Sequence, residues 1–434
     1  MPNLNTKPLT NPDALHRIRR ECLLAWLAPA ADYFAKRGVI LPHLTPSPND
    51  SLAPAHSALG GPSPAANSFH RLPGDSSPQS GEGDAEIDYD KLAHVFVEAD
   101  EAMPEYLVDS VFIILEMADE AGMDAILDAQ EEHGLVLQVG DDPDPADVAV
   151  QAWLLDKDLL EEIHNQHQLT RPRSFTTFVA GVTEPPDFVP PTVEQIAALE
   201  ARLAAWFGKR KRGNDCRILV YPREKQCLFL VRHGLPCKRE GTFNDGKSDS
   251  VFYRPRKHDV VVYDIENAEL QMNCCGVREM KEFQLAFGAH LFGNENFFPG
   301  DAKYTFAPLV EKGRNCLACG EVAGMESVTL REVEFFYAGK PWQRITRRSD
   351  DVFLLVEKEL FKWPSVDRIT RATFEVRFKD SKKVRRVTII GSNKAQYGRD
   401  EDAAMVEEWL KLAGFVLTKT ETEDDDETEL VAQP

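Results

Sequence analysis

The spacing of apolar residues divides the chain into a helical first part and a strand-rich second part. Leu15, Ile18, Cys22, Trp26, Ala30 and Tyr33 recur at helical intervals between the capping pair Asn11-Pro12 and the stop at Gly38. This predicts one amphipathic helix within residues 1–40, whose apolar stripe must dock on the body of the protein or on a partner. Residues 41–85 are rich in Pro, Ser, Gly and Ala and nearly free of aromatics, which predicts a disordered linker that buries too little apolar surface to offset its ordering. Helical spacing returns over 86–185. Leu107, Val111, Ile114 and Leu115 lead to Gly122, a second stretch reaches Gly134, and a third runs from Asp144-Pro145 through Val148, Trp153, Leu159 and Ile163. Leu135–Val139 between them reads as a short strand or an extended connection.

After Pro190-Pro191 the pattern changes. Thr192-Val193-Glu194-Gln195 is a capping box that opens a helix through Ile196, Leu199, Leu203 and Trp206. From Cys216 the period becomes two. Arg217–Tyr221 and Gln226–Arg232 flank a turn, and Val251–Arg254 and Val260–Tyr263 add strands. One helix follows from Arg278 to about Phe292, completing a module over 186–300. A second module over 301–417 carries short strands in 326–361, then Arg371–Lys379, in which Ala372, Phe374, Val376 and Phe378 alternate with charged residues. Val384–Ile390, a helix over Asp400–Ala413 and a short strand at Phe415–Leu417 close it. Residues 418–434 are expected to form a disordered acidic tail. The fold class is α+β: an acidic helical region followed by a mixed, largely antiparallel β body with a few helices. No internal repeat is visible.

Charge adds a second division. The net charge of −21 over 434 residues conceals its distribution. Residues 82–162 hold 25 Asp and Glu against 2 Lys, a net of −23; residues 209–257 hold 14 Lys and Arg against 5 acids, and 338–399 hold 16 against 7, each a net of +9. An acidic part and a basic part share one chain. Apolar runs are far shorter than the ~20 residues of a membrane span, and the first residues lack the apolar core of a secretory signal. Eight cysteines are too few for a disulfide scaffold in a chain of this length. A cytoplasmic protein without a membrane partner is expected.

Four patterns carry candidate chemistry. Leu230-Val231-Arg232-His233-Gly234 resembles the signature of the histidine phosphatases, in which such a histidine takes the phosphoryl group and arginines clamp its oxygens. That resemblance would give Arg254, Glu282 and His290 the supporting roles. However, His290 follows too soon for an intervening crossover domain, and Leu235-Pro236-Cys237 does not open a helix. Cys316-Leu317-Ala318-Cys319 has zinc-knuckle spacing, with Cys274-Cys275, His258 or His290 as further ligand candidates. Asp259 and Glu269 beside strands suggest carboxylates that could hold Mg²⁺ against a phosphate. No phosphate-binding or dinucleotide-binding glycine loop is present, and no cofactor is expected.

The fourth pattern is basic. Lys209, Arg210, Lys211 and Arg212, then Arg254, Arg256 and Lys257, interleave with Phe229, Phe252 and Tyr253, and a third group comprises Arg377, Lys379, Lys382, Lys383, Arg385 and Arg386. Cations on one face hold phosphates, and neighbouring aromatics stack on bases. These residues predict a non-catalytic binding or regulatory protein whose basic body contacts a polyanion, nucleic acid foremost, under modulation by the acidic region and tail. A phosphoester-processing enzyme, or a subunit of a multiprotein complex with a basic partner, are the alternatives.

Overall fold

The computed structural model describes residues 7–42, 86–97, 102–182, 184–244, 247–274, 276–365, 368–399 and 402–417. The linker expected over 41–85 lies almost entirely outside them, as does the tail. The chain folds as two compact units, residues 1–167 and 168–434.

The first unit is helical: α1 (Lys7–Thr10), α2 (Pro12–Leu15), α3 (Arg20–Leu27), α4 (Ala31–Ala35), α5 (Tyr89–Val97), α6 (Glu105–Met117), α7 (Glu120–His133) and α8 (Pro145–Leu155), closed by α9 (Lys157–Thr170). The single helix expected near the N-terminus is instead broken into α1–α4. Two features break it. Arg19 is extended (φ −55°, ψ 134°), so that its backbone N–H and its Nε both donate to Asp147 of α8, at 2.9 and 3.1 Å. Pro29 then sits in a 3₁₀ turn over Ala28–Ala30. The apolar stripe, expected to dock on the body or on a partner, packs within the first unit: Trp26 is buried, stacks near Phe96 and donates to Ser110 Oγ at 2.9 Å. Leu135–Val139 is an extended connection rather than a strand, pinned where the Gln138 N–H donates to Gln151 Oε1.

The second unit is built on β1 (Ser174–Val179), α10 (Val193–Gly208), β2 (Cys216–Pro222), β3 (Gln226–Gly234), β4 (Lys238–Asn244), β5 (Lys247–Tyr253), β6 (Arg256–Asp264), β7 (Glu269–Met272), α11 (Val277–Phe292), α12 (Ala307–Glu311), β8 (Met325–Tyr337), β9 (Gln343–Arg348), α13 (Val352–Glu357), β10 (Arg368–Phe378), β11 (Arg385–Ile390), β12 (Lys394–Gln396) and α14 (Ala403–Ala413). Ten of the strands form one antiparallel sheet in the order β2-β3-β6-β7-β1-β12-β11-β10-β8-β9, so the modules expected over 186–300 and 301–417 share a single sheet. Its joint is β1, which lies in sequence expected to be helical. Ser174 pairs with Gln396 on one side and Val179 with Glu269 on the other.

Two four-stranded meanders, β2-β3-β6-β7 and β8-β10-β11-β12, run inward to β1, each preceded by one helix and followed by another. This repeat of topology has no counterpart in the sequence. The insertions differ: a separate two-stranded ribbon, β4-β5, leaves the first meander between β3 and β6, while β9 and α13 interrupt the second. The helices cover alternate strand positions. Phe229, Val231, Val261 and Tyr263 pack with Leu199, Leu203, Phe207, Phe283 and Phe287, whereas Ala372, Phe374, Val376, Val387 and Ile389 pack with Val406, Trp409 and Leu410. Burying each large apolar side chain contributes roughly 1.5–3 kcal/mol.

Candidate functional site: the basic end of the sheet

The pairing register gives each strand a direction. β3 finishes at Gly234 opposite the start of β6 at Arg256, and β2 begins beside them with Cys216 opposite His233. Following the ladder across β7, β1 and β12, the end of β10 and the start of β11, where Val376 faces Arg385, fall at this same end of the sheet. The three basic groups, far apart in sequence, therefore share one end. From β3 to β11 is five strand steps, about 24 Å at ~4.8 Å each.

The groups are not equivalent there. α10 ends at Gly208 with Lys209 as its C-cap, Lys211 adopts a left-handed turn (φ 59°), and the helix's negative end favours cations. Arg210 lies 3.6 Å over the Trp206 ring. Arg254 donates to the carbonyls of Lys211 (2.7 Å) and Leu235 (3.2 Å), tying the helix stop to the base of the β4-β5 ribbon. Gly234 permits that tie, since a Cβ there would come within 2.4 Å of the Arg212 carbonyl and 2.6 Å of Arg254 Cδ.

Arg212 and Lys257 turn inward to a buried charge node. Arg212 Nη1 donates to Glu279 Oε1 at 2.6 Å, and Lys257 Nζ lies 2.8 Å from Asp259 Oδ1. Between the carboxylates, the buried His233 ring stacks on Phe207 at 4.0 Å. His233 Nδ1 faces the Gly234 carbonyl and Nε2 faces Asp259 Oδ2, both at 2.9 Å. Burial alone would raise the Asp259 pKa, but the contacts from His233 and Lys257 outweigh it and hold the carboxyl below its ordinary range.

Among the described residues His233, Asp259 and Glu279 are the one trio placed closely enough to hold a metal ion. Lys257 faces Asp259, Arg212 faces Glu279 Oε1 and the histidine Nε2 is turned to Asp259, while the second carboxylate oxygen of Glu279 is buried without a hydrogen-bond partner among the described residues. The arrangement also leaves His233 without an exposed lone pair for a phosphate. The phosphatase-like pattern is here the end of β3, with the His233 side chain buried against Phe207 and Asp259. No family model and no curated protein matches the chain.

The remaining candidates disperse. Glu269 pairs with Asp264 at the far end of β6, so it stands about 17 Å along the strand from Asp259, five residues at ~3.4 Å, and it is held by Lys303. Cys316 and Cys319 belong to the core of the second meander and Cys274 to that of the first, and burial pushes the Cys316 thiol up to about 12. Cys275 lies outside the described residues.

In the third basic group, Arg385 donates to Asp402 at 2.7 Å and Arg377 lies 3.5 Å from Glu375. Lys379, Lys382, Lys383 and Arg386 are exposed around the β10–β11 turn, as are Lys209, Lys211 and Arg256 at the other edge of the same end. Sequence reasoning missed Glu279 and Phe207, which look like ordinary helix residues. Their spacing to a buried histidine emerges only from the packing of α10 and α11 on β3.

Proposed function

We propose that this is a non-catalytic cytosolic binding protein whose second unit engages a polyanion, nucleic acid foremost, across the basic end of its ten-stranded sheet. The observation that carries the reading is the convergence of the α10 stop, the β3–β6 connection and the β10–β11 turn on one end. Exposed Lys209, Lys211, Lys382, Lys383 and Arg386 contact phosphates, while Arg212, Arg254, Lys257 and Arg385 hold the framework that presents them. The acidic first unit and tail act as competitors for those cations, which makes the contact regulatable. No helix among the described residues is long and apolar enough to cross a membrane, and nothing in the reading calls on one.

Binding of labelled DNA and RNA to the full chain across a salt series tests the proposal. A log–log slope equivalent to several released counterions is expected. Absence of binding at low salt sinks the reading and directs attention to a protein partner. A truncation intended to remove the acidic unit must begin before Ser174, because a fragment starting at 186 would lose β1, the strand that joins the two meanders.

A further inference from the structure

The β4-β5 ribbon springs from the basic end and, among the described residues, pairs with no strand of the main sheet. It carries large apolar side chains in water: Phe243 is 75% exposed and Phe252 60%. Neither ring belongs to a hydrophobic cluster of the fold. Register places Arg239 opposite Phe252, Gly241 opposite Ser250 and Phe243 opposite Ser248, and alternation puts these six residues on one face. That face holds no acid. The two phenyl rings stand four residues apart along the ribbon, about 14 Å at ~3.4 Å each, with only glycine and serine between them. Arg239 is fixed at one end, its guanidinium carbon 4.8 Å from the Phe252 ring centroid and its Nε donating to Ser250 Oγ at 3.2 Å.

We infer that this face is a stacking surface for unpaired bases, so the nucleic acid bound by the sheet end is single-stranded; this deepens the polyanion reading and rests on it. Aromatic rings in water are retained where a partner covers them, and bases supply π-faces without requiring sequence. The open space over Gly241 lets a planar group lie close to the backbone, a common reason for glycine inside a strand. The guanidinium of Arg239 pairs with the sugar-phosphate chain that such bases carry, where an apolar protein partner would leave it uncompensated.

Gly241 supplies an independent test, because a Cβ there would meet nothing within 4 Å. Gly241→Val should therefore fold normally while filling the open space between the rings. Anisotropy titrations would use the full chain, labelled oligothymidylate and a labelled duplex of the same length, with thermal melts confirming each variant. Expected is tighter binding of the single strand by the unaltered chain. Phe243→Ala/Phe252→Ala should lose about 10-fold or more for the single strand, Gly241→Val a smaller factor in the same direction, and neither should move the duplex. Unchanged single-strand binding in both variants, or equal losses for the two ligands, overturns base stacking and leaves the polyanion reading standing. If the unaltered chain binds neither ligand, both readings fall together.

Discussion

Residues 254–257 and 379–386 carry similar charge in sequence and are used differently, with one exception in each, since Arg256 is exposed and Arg385 donates to Asp402. In the first segment Arg254 ties two loops and Lys257 reaches inward to Asp259, which is fully buried. In the second, Lys379, Lys382, Lys383 and Arg386 stay in solvent around a turn. The difference follows from what lies beneath each. Below the β3–β6 connection the helices α10 and α11 bring Phe207 and Glu279 against His233, creating buried acids that must be neutralised. Beneath β10 and β11 the helix-facing side chains are apolar, and of the cations there Arg385 is drawn to an acid, Asp402 at the head of α14. A basic run is thus open to a ligand only where the fold has not already consumed it.

The largest effect should come from the node. Asp259→Ala strands a buried histidine and an ammonium, and urea unfolding should report a loss of about 3–5 kcal/mol. The pH dependence has a definite sign. Because the folded pKa of Asp259 is depressed, its contribution is complete above the ordinary value of 3.8 and disappears as pH falls through the lower folded value. The unaltered protein should therefore lose stability below that ordinary value more steeply than Asp259→Asn does. Equal acid profiles would contradict the pairing. Next in size, Gly234→Ala forces a Cβ against the Arg212 carbonyl and should cost roughly 1–3 kcal/mol in thermal or chemical unfolding. A neutral result would mean that the loop tied by Arg254 yields easily.

Lys382→Glu/Lys383→Glu should leave the melting temperature unchanged and weaken DNA or RNA binding about 10-fold, because both side chains are exposed and are proposed to contact phosphate. The smallest effect belongs to β9, where Arg344 lies 3.4 Å from Glu334 with half of its side chain in water. Arg344→Ala should change stability by no more than about 0.5 kcal/mol, the ordinary weight of an exposed pair. A larger change would mean that the charged pairs along β8 and β9 act as a network.

Elements with strong local signals were legible before the structure. The Thr192 capping box opens α10 as expected, with the Gln195 N–H donating to Thr192 Oγ1, and the Arg371–Lys379 alternation became β10. What escaped the sequence was set by distant pairing. β1 reads as the tail of a helical region because it is a short strand, and only its neighbours β7 and β12 identify it. The N-terminal stripe looks continuous, yet Arg19 leaves the helix for a carboxylate 128 residues away. For the site, the cations were visible and their allocation was not. Nothing local separates Arg212, spent on Glu279, from the exposed Lys211.

The most direct test of the central claim, that the three segments act as one surface, compares charge reversals at the two ends of the sheet. Salt slopes for nucleic acid binding would be measured for the unaltered chain, Lys209→Glu/Lys211→Glu, Lys382→Glu/Lys383→Glu, and Arg223→Glu/Lys340→Glu at the opposite end, where the β2–β3 and β8–β9 turns lie. The account predicts that both pairs at the basic end lower affinity and flatten the slope, each lysine by about one counterion, while the opposite pair leaves the slope unchanged. Equal flattening by all three pairs would show attraction without a site and contradict the account.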